Sequence, residues 1–232
     1  MLELYVGNRN YSSWSMRAGV LVRQAGIECR EIYVRLDIRE PDSQFRRIIT
    51  PLNPAGTVPL LRDGDLIVSD SLAIAEYLAE RFPDRELWPT EVAARARARS
   101  ACARMHAGFG ALRQACPMNI EASLVEVGQL IWRDRPAVRA DVQAIDALWQ
   151  DLLARHGGPL LFGRFSIADA YYAPICMRLL GFGLPLSAVS ADYVRRVAEL
   201  PGVASWIADA RAEHDFLIED EPYRLGAEGP VG

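Results

Sequence analysis

The chain contains no lysine; all 26 of its basic residues are arginine. Schiff-base chemistry through a lysine amine and phosphate binding by a P-loop lysine are therefore excluded. Cysteine is sparse. Cys29, Cys102, Cys116 and Cys176 show no Cys-x-x-Cys spacing, which leaves free thiols in a reducing compartment as the expectation. Histidine is sparser still. His106, His156 and His214 form no His-x-x-x-His arrangement, so no metal site is expected. No apolar run approaches the roughly 20 residues that a membrane span requires. The opening residues, Met1 to Gly7, have neither the basic stretch nor the long apolar stretch of a signal peptide. The expected location is the cytoplasm, with no membrane partner. The net charge of −4 provides no field toward nucleic acid.

What is present is ordinary globular material. The 232 residues are 50% hydrophobic and 24% charged, enough for one large domain or two modest ones. The first eighty residues alternate in type. Leu2 to Val6 reads as a strand. Trp14, Ala18, Leu21, Val22 and Ala25 recur at helical spacing, and Gly26 closes that helix. Cys29 to Val34 is a second strand, followed by a short helix around Asp42 to Ile49. Val58 to Leu61 and Leu66 to Val68 are strands joined by the Asp-Gly turn of Arg62 to Asp65. Ser71 to Arg81 is helical, with Ile74, Tyr77 and Leu78 on one face.

Phe82 to Thr90 carries two prolines and no periodicity, as a linker would. Beyond it only helices are predicted: Glu91 to Gln114, Leu124 to Arg155 with an interruption near Pro136, Ile167 to Leu180, and Pro201 to Glu213. The chain thus divides into a mixed α/β domain over 1–82, a linker over 83–90, an all-α domain over 91–222 and a flexible tail over 223–232.

Three local signals carry chemistry. Ser12 and Ser13 stand where the first strand meets the first helix. A serine there is an N-cap. The same helix terminus offers free N–H groups and partial positive charge to an anion, and a hydroxyl can donate to a bound thiolate. Lowering a thiol pKa from about 8.5–9 by about two units requires about 2.7 kcal/mol. A charge-assisted hydrogen bond and a helix terminus together are of that order. The second signal is Asn53-Pro-Ala-Gly-Thr-Val58-Pro59. A trans proline would simply open a strand. A cis peptide at Val58-Pro59 would turn the Val58 backbone toward a peptide-like ligand. The third is Asp70-Ser71, which reads either as a helix cap or as a clamp for an amino-acid head group.

In this order and spacing the three signals resemble the cytosolic glutathione transferases. Ser12-x-x-x-x-Arg17 is similar to the catalytic-serine motif of the zeta and tau classes. Val58-Pro59 resembles the family's cis-proline loop, and Asp70-Ser71 its acidic-serine pair. Ser166 and Asp169 form a capping box that resembles the family's folding motif. The resemblance implies a thioredoxin-like N-terminal domain followed by an all-helical C-terminal domain. It implies glutathione as co-substrate, a small electrophile as partner, and a homodimer. Ser12 would be catalytic, with Ser13 as the fallback and Tyr5 or Tyr11 as remoter hydroxyls. Val58 and Pro59 would hold the cysteinyl backbone, and Asp70 and Ser71 the γ-glutamyl end.

There are departures. Thr57 stands where many relatives carry lysine, leaving the glycyl carboxylate without a partner unless Arg46 or Arg47 serves. Gly19 interrupts the Arg-Val-Arg pattern of zeta isomerases, which weakens that assignment. Met105 and Phe109, on one helical face with Leu112, are the candidate wall for the second substrate. A stripe of this kind is more often core. The expected activity is glutathione transfer. A glutathione-dependent isomerase or dehalogenase, and a non-catalytic glutathione-binding protein, are the alternatives.

Overall fold

The computed structural model describes residues 1–224. Its first domain runs β1 (Leu2–Val6), α1 (Ser13–Gln24), β2 (Cys29–Tyr33), α2 (Gln44–Ile49), β3 (Leu60–Asp63), β4 (Leu66–Ser69) and α3 (Ser71–Arg81). The strands lie in the order β2-β1-β3-β4. β1 pairs in parallel with β2, Leu2 opposite Cys29, and antiparallel with β3, Leu2 opposite Asp63. β3 and β4 form the hairpin, with Gly64 at φ +59° in its turn. A central strand covered on both faces needs apolar residues throughout. β1 meets that need: Leu4 and Val6 enter the main core, whereas Tyr5 packs on the opposite face with Phe45, Ile49 and Leu60.

The second domain is helical. A 3₁₀ turn over Pro83–Arg85 leads to α4 (Val92–Ala107), α5 (Gly110–Ala115), α6 (Val125–Asp134), α7 (Pro136–His156), α8 (Ile167–Gly181), α9 (Ala188–Glu199) and α10 (Pro201–Glu213). α8 is the spine, buried from Ile167 through Leu179. The Ser166–Asp169 capping box starts it. Asp169 accepts from the Ser166 N–H at 2.9 Å and from the Leu161 N–H at 3.1 Å, fastening the preceding loop. α1 packs against both α8 and α10. Gly19 permits this, since a Cβ there would lie 2.1 Å from the Trp206 ring.

Two helical assignments differ from the sequence pattern. The helix expected to continue from Glu91 to Gln114 breaks at Gly108 and Phe109, the latter at φ +57°. Gly108 meets its own preceding turn closely, because a Cβ would approach the Arg104 carbonyl oxygen to 2.6 Å. α9 was not expected. Tyr193, Val194 and Val197 are its buried stripe, and Ser187 caps it. Of the tail expected to be flexible over 223–232, Tyr223 donates to the Ala115 carbonyl at 2.7 Å. From residue 225 onward that tail lies outside the described residues.

Candidate active site

The β1–α1 junction separates the roles of the paired serines. Ser12 is the N-cap of α1, its Oγ accepting from the Ser15 N–H at 3.3 Å. Its hydroxyl donates to Ser15 Oγ at 2.8 Å, and Ser15 Oγ accepts from the Gly7 N–H at 3.0 Å. Ser13 is tied elsewhere. Its Oγ accepts from Nη2 of the buried Arg178 at 3.1 Å.

The loop before β3 is held from within. Asn53 Nδ2 donates to the Thr57 carbonyl at 3.2 Å and to its hydroxyl at 3.0 Å. The Val58-Pro59 peptide is cis. At the next junction Asp70 adopts φ +77°, a conformation that side chains rarely take outside sites where the surroundings enforce it. Its carboxylate caps α3 by accepting from the Leu72 N–H at 2.7 Å. Half of that side chain remains exposed.

These segments meet. Trp14, Thr57, Val58, Pro59, Asp70 and Ser71 line one cavity of about 310 Å³. Ser12 is not among its lining residues but stands two positions before Trp14, at the end of α1 that carries the free N–H groups. A second cavity of about 300 Å³, bounded by Pro117, Phe216 and Tyr223 among others, contains none of the expected site residues.

The helical domain reaches the same place through side chains that sequence reasoning did not identify as contributors. Tyr171 donates to Ser71 Oγ at 3.1 Å. His106 Nε2 lies 3.6 Å from Asp70 Oδ2, and its ring meets Trp14 edge-on. From the first domain itself, Arg17 on α1, the arginine of the Ser12 motif, is buried between Trp14 and Tyr171. Burial lowers its pKa to about 10, which still leaves it charged at neutral pH.

A family model for the glutathione S-transferase N-terminal domain matches residues 11–81, and one for the C-terminal domain matches residues 93–209. The chain belongs to the glutathione S-transferase family. It is 31% identical to a maleylacetoacetate isomerase of Pseudomonas aeruginosa over 207 residues, covering 86% of this chain and 90% of that protein. It is 28% identical to glutathione S-transferase 1 of Dianthus caryophyllus over 189 residues, 80% of this chain and 81% of the relative. A glutathione transferase homologue from Burkholderia, solved with bound glutathione, superposes with a TM-score of 0.63 at 26% identity, covering 91% of this chain and 98% of that one.

Within this glutathione S-transferase frame, several expectations change. Met105 and Phe109 are not a pocket wall. Both are buried in the main core, at 1% and 6% exposure, and the break at Gly108 takes them off a common helical face. Arg46 is committed to the loop before α2, donating to the Ile38 carbonyl through Nε and Nη2 at 3.1 and 2.8 Å, and so is not a spare partner for a glycyl carboxylate. The Tyr11 phenol donates to Glu221, and burial together with that carboxylate raises its pKa well above the ordinary value. Tyr5 turns its hydroxyl toward Glu3. No helix among the described residues is long and apolar enough to cross a membrane.

Proposed function

We propose that this protein is a glutathione transferase in which Ser12 stabilises the glutathione thiolate. The observation that carries the reading is the convergence of Val58, Pro59, Asp70 and Ser71 on one cavity beside the N-terminal end of α1. The Val58 backbone would pair with the cysteinyl residue of glutathione. The Asp70 carboxylate would take the γ-glutamyl ammonium, and Ser71 the adjacent carboxylate, at the start of α3 where the helix terminus favours an anion. The sulfur would then lie toward α1.

Catalysis in this reading is electrostatic. The Ser12 hydroxyl turns from Ser15 Oγ to the sulfur, and Ser15 can donate its own proton to Ser12 Oγ in return. The thiolate attacks a small electrophile. A carbon–sulfur bond forms, and the displaced group leaves with the electron pair of its bond. The glutathione bound to the Burkholderia homologue supports the co-substrate. Replacing Ser12 with alanine should lower turnover sharply and barely move glutathione affinity. Unchanged turnover would remove the serine from the mechanism.

The kinship with a maleylacetoacetate isomerase supports a second reading, glutathione-dependent cis–trans isomerisation. The thiolate would add to a double bond and leave again after rotation, so glutathione is regenerated. Product formation without loss of free thiol distinguishes this from transfer. Family membership also makes a homodimer the working assembly, and a monomer in sedimentation equilibrium would exclude it.

A further inference from the structure

Ser71 is held from the other domain. The donor is the Tyr171 hydroxyl on α8, 3.1 Å from Ser71 Oγ, and both residues are buried. Arg17 lies behind Tyr171. It is 1% exposed, with its guanidinium carbon 4.9 Å from the centroid of the Tyr171 ring and 4.1 Å from that of Trp14. Arg17 Nε and Nη1 have no hydrogen-bond partner among the described residues. Among the described residues no carboxylate lies within ion-pair distance of Arg17, and Arg113 repels it.

A buried cation without a counterion is costly, and replacing it with an apolar side chain is often neutral or stabilising. This one sits against Trp14, which lines the cavity, and against the partner of Ser71, which also lines it. Burial keeps the Tyr171 phenol protonated well above the ordinary range, so it has a proton to offer. A serine oxygen that accepts this proton keeps its own for a ligand. Hydrogen bonds in such a series polarise one another.

We propose that Tyr171 is a positioning residue for glutathione: by donating to Ser71 Oγ it turns the Ser71 proton toward the γ-glutamyl carboxylate, with Arg17 supplying positive potential behind the series. This rests on the reading of Ser71 given above.

The test is calorimetric titration of the full chain with glutathione, with steady-state kinetics alongside. Tyr171→Phe keeps the ring and deletes the donor. Kd and KM for glutathione should rise about three- to tenfold, as for one net hydrogen bond, while kcat at saturating glutathione stays within about twofold. A merely structural tyrosine would lower Tm without that split. An analogue with γ-aminobutyryl in place of γ-glutamyl lacks the carboxylate, and the wild type and Tyr171→Phe should bind it equally. In a Ser71→Ala background, adding Tyr171→Phe should change Kd no further. Arg17→Met supplies an independent check: the ligand-free Tm should hold or rise while glutathione binding weakens. If Ser71→Ala raises Kd but Tyr171→Phe does not, or if the Tyr171→Phe loss persists with the analogue, the positioning role is overturned and the Ser71 reading stands. If Ser71→Ala leaves Kd unchanged, both fall.

Discussion

Ser13 Oγ accepts a hydrogen bond from Arg178 Nη2 at 3.1 Å, so the second of the two adjacent serines is bound to the helical domain. Arg178 is buried, and its Nη1 donates to the carbonyls of Arg113 and Cys116. Replacing Ser13 with alanine would leave Nη2 short of a partner in a desolvated place. The expected cost is about 1–3 kcal/mol of stability in urea melts, with turnover retained. Ser12→Ala should behave oppositely. It should lose about a hundredfold in turnover, the scale for one donor to a developing anion, and about 1 kcal/mol of stability from the lost cap. If Ser13→Ala is the variant that loses turnover, Ser12 is only a cap.

Gly19 gives a prediction about how the domains join. A methyl group there would meet the Trp206 ring at 2.1 Å, and Trp206 is itself anchored by donating to the Arg9 carbonyl at 3.1 Å. Neither side can yield without shifting α10 on α1. Gly19→Ala should therefore destabilise by about 1–3 kcal/mol despite the better helix propensity of alanine. Thermal unfolding measures this directly. A stability gain would show that the α1–α10 contact is looser than described. The same contact explains why the residue two after Arg17 is not the arginine of the zeta pattern.

The legible part of the fold was the part with local causes. The apolar run of β1, the Asp-Gly turn before β4, and the start of α3 at Ser71 all announce themselves within a few residues. The same holds for one side of the candidate site, because Val58, Pro59, Asp70 and Ser71 lie in two short loops of one domain. Arg17 was legible as the end of the Ser12 motif, but Tyr171 and His106 were not legible as neighbours of that site. Their positions depend on how α8 and α4 dock on the first domain, and no local pattern encodes that. Phe109 failed for a different reason. Its helical spacing from Met105 was real on paper, but Gly108 ends α4 between them. α9 carries an amphipathic period, with Tyr193, Val194 and Val197 buried opposite Arg195, Arg196 and Glu199, so it too has a local cause even though it was not among the expected helices.

Asp169 should impose a pH dependence on stability. Burial raises its pKa from the ordinary 3.8 to about 6, although the N–H groups of Leu161 and Ser166 and the hydroxyls of Ser166 and Tyr193 all donate to it. The folded chain therefore retains this proton at a pH where the unfolded chain has released it. The contribution is fully present below about pH 4 and is lost as pH rises through about 6, amounting to about 3 kcal/mol across the window. Asp169→Asn should lack this component. It should also be less stable, because an amide nitrogen would face donors. The check is urea unfolding of both proteins at several pH values from about 4 to 7, taking the difference between them. Parallel curves would show that Asp169 does not titrate in this range.

Asp70 combines two duties that a single substitution can separate. Its carboxylate caps α3 through the Leu72 N–H at 2.7 Å, and it faces the cavity from a backbone held at φ +77°. Asparagine keeps a capping oxygen and tolerates positive φ better than most residues. It removes only the charge. Asp70→Asn should accordingly keep its Tm within a few degrees, while KM for glutathione rises about tenfold or more through loss of a charge-assisted bond to the ammonium. Glutaryl-cysteinyl-glycine, which lacks that ammonium, should bind the variant as well as it binds the wild type. Asp70→Ala should lower both stability and affinity, because cap and charge go together. If Asp70→Asn loses stability but keeps its KM, the aspartate serves the helix and not the ligand, and the γ-glutamyl end must bind elsewhere.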